Sequence, residues 1–261
     1  RQSSLSRLST ELLLLITAFL DVSDAACLAL THRALAAKLR SRSWDSLRTT
    51  EAAGIQREIF LNRLAQDLPD FWCCQPCLRL HRKALVPPTV SLQRRRLQCL
   101  TEKHRILLGS HTACGHQEMS RYALIFPHVH LAMRRHRNGA NYGISVESLA
   151  VTEVQTYSGD ETERKMTTLL SVEPSIIFDE MYLRVKHWAL FPLFNPLERE
   201  KLTFTHLCHH DFQCRPSILH CATCSADFEV EIKYFDNGST ALVITKWLNI
   251  GSGESPKHNR W

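Results

Sequence analysis

Two short cysteine pairs set far apart constrain this chain more than any other feature. They are Cys74-Gln75-Pro76-Cys77 and Cys221-Ala222-Thr223-Cys224. A C-x-x-C turn aims two thiolates at one centre, and zinc takes four soft ligands in a tetrahedron. Two such turns complete that shell. Residues 78–220 are then enclosed as one unit, and a structural zinc becomes part of the fold. The first-choice ligands are Cys74, Cys77, Cys221 and Cys224. Other donors stand close by. Cys73 adjoins Cys74, His81 follows Cys77 by four positions, and Cys208-His209-His210 precedes the second pair. Any of these can replace a cysteine or serve a second site. Redox use of the pairs is disfavoured, because the βαβ setting of such motifs is missing.

The chain has 261 residues, 44% of them hydrophobic, which is enough for a substantial core. Its 10 cysteines do not form the dense framework of a small secreted domain. A reducing compartment, cytoplasm or nucleus, is expected. The apolar run Leu12 to Leu20 is too short to span a bilayer. Glu11 before it, and Asp21 and Asp24 behind it, argue against a signal peptide. No membrane association is expected.

That run reads better as an amphipathic helix. Ser9 or Thr10 can cap it, and Glu11 suits the positive first turn. Leu12, Ile16 and Phe19 or Leu20 share a face. Asp21-Val22-Ser23-Asp24 breaks the run and starts another helix, and Cys27, Leu28, Leu30, Leu35 and Leu39 continue an apolar pattern. Helices this short make a poor core alone, so the module must pack on the rest of the chain or on a partner.

These residues carry a resemblance. Leu8-Ser9-Thr10-Glu11-Leu12, then Ile16, Leu20, Asp24, Cys27-Leu28-Ala29-Leu30, Arg33 and Leu39, resemble an F-box, with Ser9 where the usual motif has proline. Phe71 to His81, Cys221 to Phe228 and the closing Val243 to Gly251 are similar to uncharacterised fungal F-box proteins. The resemblance implies a Skp-type adaptor and a cullin–RING ubiquitin ligase as partners, with Leu8, Leu12, Ile16, Leu20, Leu28 and Leu30 as the adaptor-binding surface. It implies a target protein without identifying it.

Beyond this module, residues 44–70 read as helix, with Leu47, Ile55, Ile59, Leu61 and Leu64 at helical intervals. Pro87-Pro88 forces an extended link. Residues 121–131 are helical or extended, and Arg134 to Gly139 reads as a basic turn. Strands are expected over 145–157, 165–172 and 176–191. Phe228 to Phe235 alternates apolar and charged, Asp236-Asn237-Gly238-Ser239 turns, and Thr240 to Asn249 answers as the second strand. The expected class is α+β: a helical F-box-like module at 1–45, and a zinc-stapled, target-recognising domain at 46–261 that is strand-rich in its second half.

Catalysis is not expected. The chain contains no G-x-S-x-G, phosphate loop or H-E-x-x-H. A closed four-ligand zinc offers no open position for chemistry. The alternative function is nucleic-acid binding through Arg79 to Lys83, Arg94 to Arg96 and Arg134 to Arg137. A net charge of +6 does not demand it, and solvated faces explain such runs more simply.

Overall fold

The computed structural model describes residues 4–39, 42–49, 53–89, 99, 105–107, 110–113, 116–119, 122–158, 165–191, 218–221 and 226–255. Contacts divide the chain into Arg1–Leu85 and Val86–Trp261. The first is helical and the second is dominated by a sheet, so the class is α+β. The sequence-based division at residue 45 lies inside the first unit.

The first unit begins with a 3-10 turn, Ser4–Arg7, and continues as α1 (Thr10–Ala18), α2 (Val22–Thr31) and α3 (Arg33–Leu39). Ser9 caps α1 by accepting from the Leu12 amide at 3.4 Å. Lys38 on α3 donates to the Ser6 and Leu8 carbonyls at 3.2 and 2.6 Å, which ties the N-terminal turn down. Leu13, Ala29, Leu35 and Leu39 form a small core, with Leu8, Leu14, Leu28 and Trp44 against it. The expected helix at 44–70 is two helices, α4 (Arg42–Thr49) and α5 (Ala53–Asp67). Leu47 and Phe60 close on Ala26 of α2. The helical module therefore finds its missing packing surface within the same unit.

A strand pair follows, β1 (Phe71–Cys74) against β2 (Arg79–Arg82), antiparallel. In the second unit, β3 (Arg105–Leu107) pairs with β6 (Ala123–Ile125), and β4 (Ser110–Ala113) with β5 (His116–Met119). The ambiguous stretch at 121–131 is resolved as β6 running straight into α6 (Phe126–Asn138). The expected basic turn is the last turn of this helix, where cations complement the helix dipole, and Gly139 caps it at φ 95°.

The main sheet has six antiparallel strands in the order β10-β11-β12-β9-β8-β7. These are β7 (Val151–Ser158), β8 (Lys165–Ile177), β9 (Glu180–Phe191), β10 (Ile218–Cys221), β11 (Ala226–Tyr234) and β12 (Thr240–Gly251). Residues Val146–Leu149, expected to open a strand, form a 3-10 turn before β7. The strand expected from 176 starts instead at Glu180, because Phe178 and Asp179 form the turn after β8. The final hairpin pairs Tyr234 with Thr240, as the alternation predicts.

Strand periodicity explains the core. Met181, Leu183 and Val185 of β9 face one side with Leu170 and Val172 of β8. Val129, Ala132 and Met133 of α6 cover them, joined by Tyr122, Leu149 and Ile250. Gly143 shows how closely the chain follows this helix. It has φ 84°, and a Cβ there would collide with the Leu131 carbonyl oxygen.

Candidate metal centre and docking face

The metal candidate is built on the β1–β2 turn. Cys74 ends β1 opposite Arg79, and Trp72 pairs with His81. The tight turn needs Leu78 at φ 49°, an αL position that an L side chain adopts at a cost. The result folds Cys77 and His81 back beside Cys74. Cys77 Sγ and His81 Nε2 are 3.0 Å apart. The donor atoms of Cys74, Cys77, His81 and Cys99 all lie within 4.8 Å of one another, close enough to hold a metal ion. A tetrahedral shell with metal–sulfur bonds of about 2.3 Å sets its ligand atoms about 3.8 Å apart. The group is therefore near that spacing, and three sulfurs with one imidazole match the preferences of zinc.

Electrostatics agree with this chemistry. Burial, and then the nearby Arg79, lower the His81 pKa, so the ring stays neutral and able to ligate. Cys74 is fully buried. Cys73 belongs elsewhere. As the neighbour of Cys74 in a strand it points to the opposite side. Its thiol is pushed up to about 12 by burial, then by Glu58 and Cys77, and remains protonated. Trp72 is fully buried with its ring 5.5 Å from His81, and no hydrogen bond reaches its indole N–H among the described residues.

Of the sequence-predicted ligands, Cys74 and Cys77 are in this group, as is the alternative donor His81. Cys221 closes strand β10, and its side chain, like Cys224, Cys208 and His209, lies outside the described residues. Cys99 was missed, because a lone cysteine in a basic stretch has no spacing signal.

The second feature is the outer face of α1. Leu13 points inward and is completely buried. Leu12, Leu15, Ile16 and Phe19 recur at helical spacing on the opposite side, and Phe19 is 90% exposed. Leu20, and Leu30 on α2, are exposed as well. Of the six predicted contact residues, Leu12, Ile16, Leu20 and Leu30 are thus exposed, while Leu8 and Leu28 pack on the small core. Leu15 and Phe19 are the additional members; the sequence left Phe19 as one of two choices and did not single out Leu15.

The basic run on α6 is occupied internally. Arg134 is buried and its guanidinium lies over the Tyr142 ring at 5.2 Å. Arg135 donates to the Ala140 carbonyl at 2.6 Å. Arg137 holds both carboxylate oxygens of Asp179 at 2.9 Å. Arg94 to Arg96 lie outside the described residues. Among the described residues, no helix is long and apolar enough to cross a membrane. No protein-family model, curated protein or solved structure matches the chain.

Proposed function

We propose that the chain is an F-box-type substrate receptor. It binds a Skp-type adaptor through α1 and α2, links a target protein to a cullin–RING ubiquitin ligase, and performs no chemistry of its own. One observation carries this reading. A helix whose inner residue Leu13 is fully buried displays a second apolar stripe of Leu12, Leu15, Ile16 and Phe19 to solvent. Such a stripe in a water-soluble setting is stable mainly when a partner covers it. The F-box resemblance supplies the partner's class. Zinc at Cys74, Cys77, His81 and Cys99 would be structural, holding the β1–β2 turn rather than activating a substrate.

The test is binding of the purified chain to a recombinant Skp-type adaptor, measured by calorimetry and gel filtration. The wild type should form a one-to-one complex. Leu12→Asp with Ile16→Asp should abolish it while the far-ultraviolet spectrum is kept, since both side chains face solvent in the free chain. A wild type that ignores the adaptor, or a double variant that binds equally well, overturns the reading. Tight, salt-sensitive binding to random duplex would favour the nucleic-acid alternative instead.

A further inference from the structure

The first unit contains a cleft distinct from the metal group and the α1 stripe. It lies between α4 and α5, with a volume of about 220 Å³, and is lined by Trp44, Leu47, Arg48, Arg57, Phe60 and Leu61. Leu47 and Phe60 are buried and form its floor. Trp44 meets Phe60 edge to face with ring centroids 5.6 Å apart, which fixes both rings. Arg48 is exposed and Arg57 half-buried at the rim.

Charge distinguishes this cleft from an ordinary packing gap. None of the ion pairs among the described residues uses Arg48 or Arg57. Of the acids on these two helices, neither Glu58 nor Asp67 forms an ion pair with either arginine, and Asp45 has a partner of its own. Two guanidiniums therefore flank an aromatic floor, and among the described residues no carboxylate pairs with either of them.

We propose that this cleft binds a short peptide segment in which one apolar side chain is flanked by carboxylates. The volume selects the ligand. Sites for drug-sized molecules and cofactors run to about 300–1,000 Å³, whereas this cleft is smaller and suits a single leucine or phenylalanine side chain. The aromatic floor receives that side chain. The two arginines take the neighbouring carboxylates, for which the planar guanidinium fork is suited. Apolar anchor and charged rim together give the arrangement typical of an energetic centre in an interface. On the substrate-receptor reading this would be a point of target contact, but the inference stands apart from adaptor binding.

The test uses the full chain alone and a fluorescein-labelled peptide, Gly-Ser-Glu-Asp-Phe-Glu-Ser-Gly, followed by fluorescence anisotropy. Saturable binding is expected, weakened by added salt. Replacing the peptide's phenylalanine with alanine, or its acids with their amides, should weaken binding at least tenfold. Arg48→Gln with Arg57→Gln should do the same without lowering the melting temperature. Arg57→Glu should recover binding to a peptide carrying lysines in place of the acids, which a merely misfolded variant would not do. The Leu12→Asp, Ile16→Asp chain should still bind the peptide, which separates this site from the adaptor face. The proposal is overturned if the wild type shows no saturation up to millimolar peptide, if the double glutamine variant binds as well as wild type, or if an oligothymidylate displaces the peptide at equal concentration.

Discussion

Cys77 Sγ stands 3.0 Å from His81 Nε2 across the β1–β2 turn, so that a thiol four positions before a histidine faces it directly. Strand alternation alone would not bring them together. The αL backbone at Leu78 reverses the chain between them. That local geometry presents a half-built metal shell, which Cys74 and Cys99 extend to four donors.

About one tightly held zinc per chain is expected by elemental analysis. Cys74→Ser and Cys77→Ser should each release it, and the double variant should be little worse than either single one, because both remove one centre. Cys99→Ser should also release zinc, while Cys224→Ser should retain it. The opposite pattern would restore the shell made of two C-x-x-C turns. Chelation should lower the melting temperature of the wild type but not of the Cys77→Ser chain.

Leu13 lies within α1 and Phe19 caps its C-terminal end, and the two should behave oppositely. Leu13 is fully buried, so Leu13→Ala should destabilise the first unit by about 2–5 kcal/mol in urea titration. Phe19 is 90% exposed, so Phe19→Ser should change stability by less than about 0.5 kcal/mol. It should nevertheless weaken adaptor capture at least tenfold. Equal stability losses at the two positions would contradict the orientation of α1.

His128 should make the protein acid-sensitive. Its Nδ1 accepts from the Ile125 amide at 3.2 Å, and Nε2 lies 2.6 Å from the Pro87 carbonyl, to which the neutral ring donates. Burial lowers its pKa from 6.5 to about 4, partly opposed by the Pro87 hydrogen bond. Above pH 6.5 the ring is neutral in both states and contributes no pH dependence. As pH falls from 6.5 toward 4, the unfolded chain takes up the proton first, so stability falls, by roughly 3 kcal/mol at the lower limit. His128→Leu should flatten this part of the stability–pH curve. It should also cost about 1–3 kcal/mol at neutral pH by leaving buried partners unsatisfied. An unchanged slope in the variant would remove His128 as the cause.

The Phe178–Asp179 turn should be improvable. Both residues have positive φ, 49° and 59°, as in a two-residue hairpin turn where Asn-Gly is favoured. Phe178 is also 95% exposed, so its side chain gains little packing in return. Phe178→Asn should raise stability by about 0.5–1.5 kcal/mol. Arg137→Ala should lower it, since Arg137 holds Asp179 through both carboxylate oxygens. Loss of stability in Phe178→Asn, by thermal denaturation, would show that the ring packs in solution.

Gly143 should tolerate no side chain. Gly143→Ala would place a methyl on the Leu131 carbonyl and force φ 84° on an L residue. A loss of several kcal/mol, of the size reserved for overpacking with backbone strain, is expected in denaturant titration. A near-wild-type midpoint would mean that the 139–145 segment does not lie against α6.

By itself, the sequence determined what local periodicity and local chemistry can encode. The Ser9 cap, the apolar spacing in α1, the β11–β12 hairpin around Asn237-Gly238 and the paired thiols of Cys74 and Cys77 all depend on neighbours a few positions apart. The α+β class follows from the change of period between the halves. Tertiary structure decided the rest. The basic run at Arg134–Arg137 has the composition of a turn, but continues α6 because Val129, Ala132 and Met133 gain a sheet to pack against. Placing Cys99 beside Cys74 requires a long-range approach that no spacing rule reports. The two faces of α1 are equally apolar in sequence, and only packing of Leu13 against Leu35 and Leu39 leaves Phe19 outside. Burial is a property of pairs of surfaces, so a sequence pattern can mark a face as apolar without saying whether the chain itself covers it.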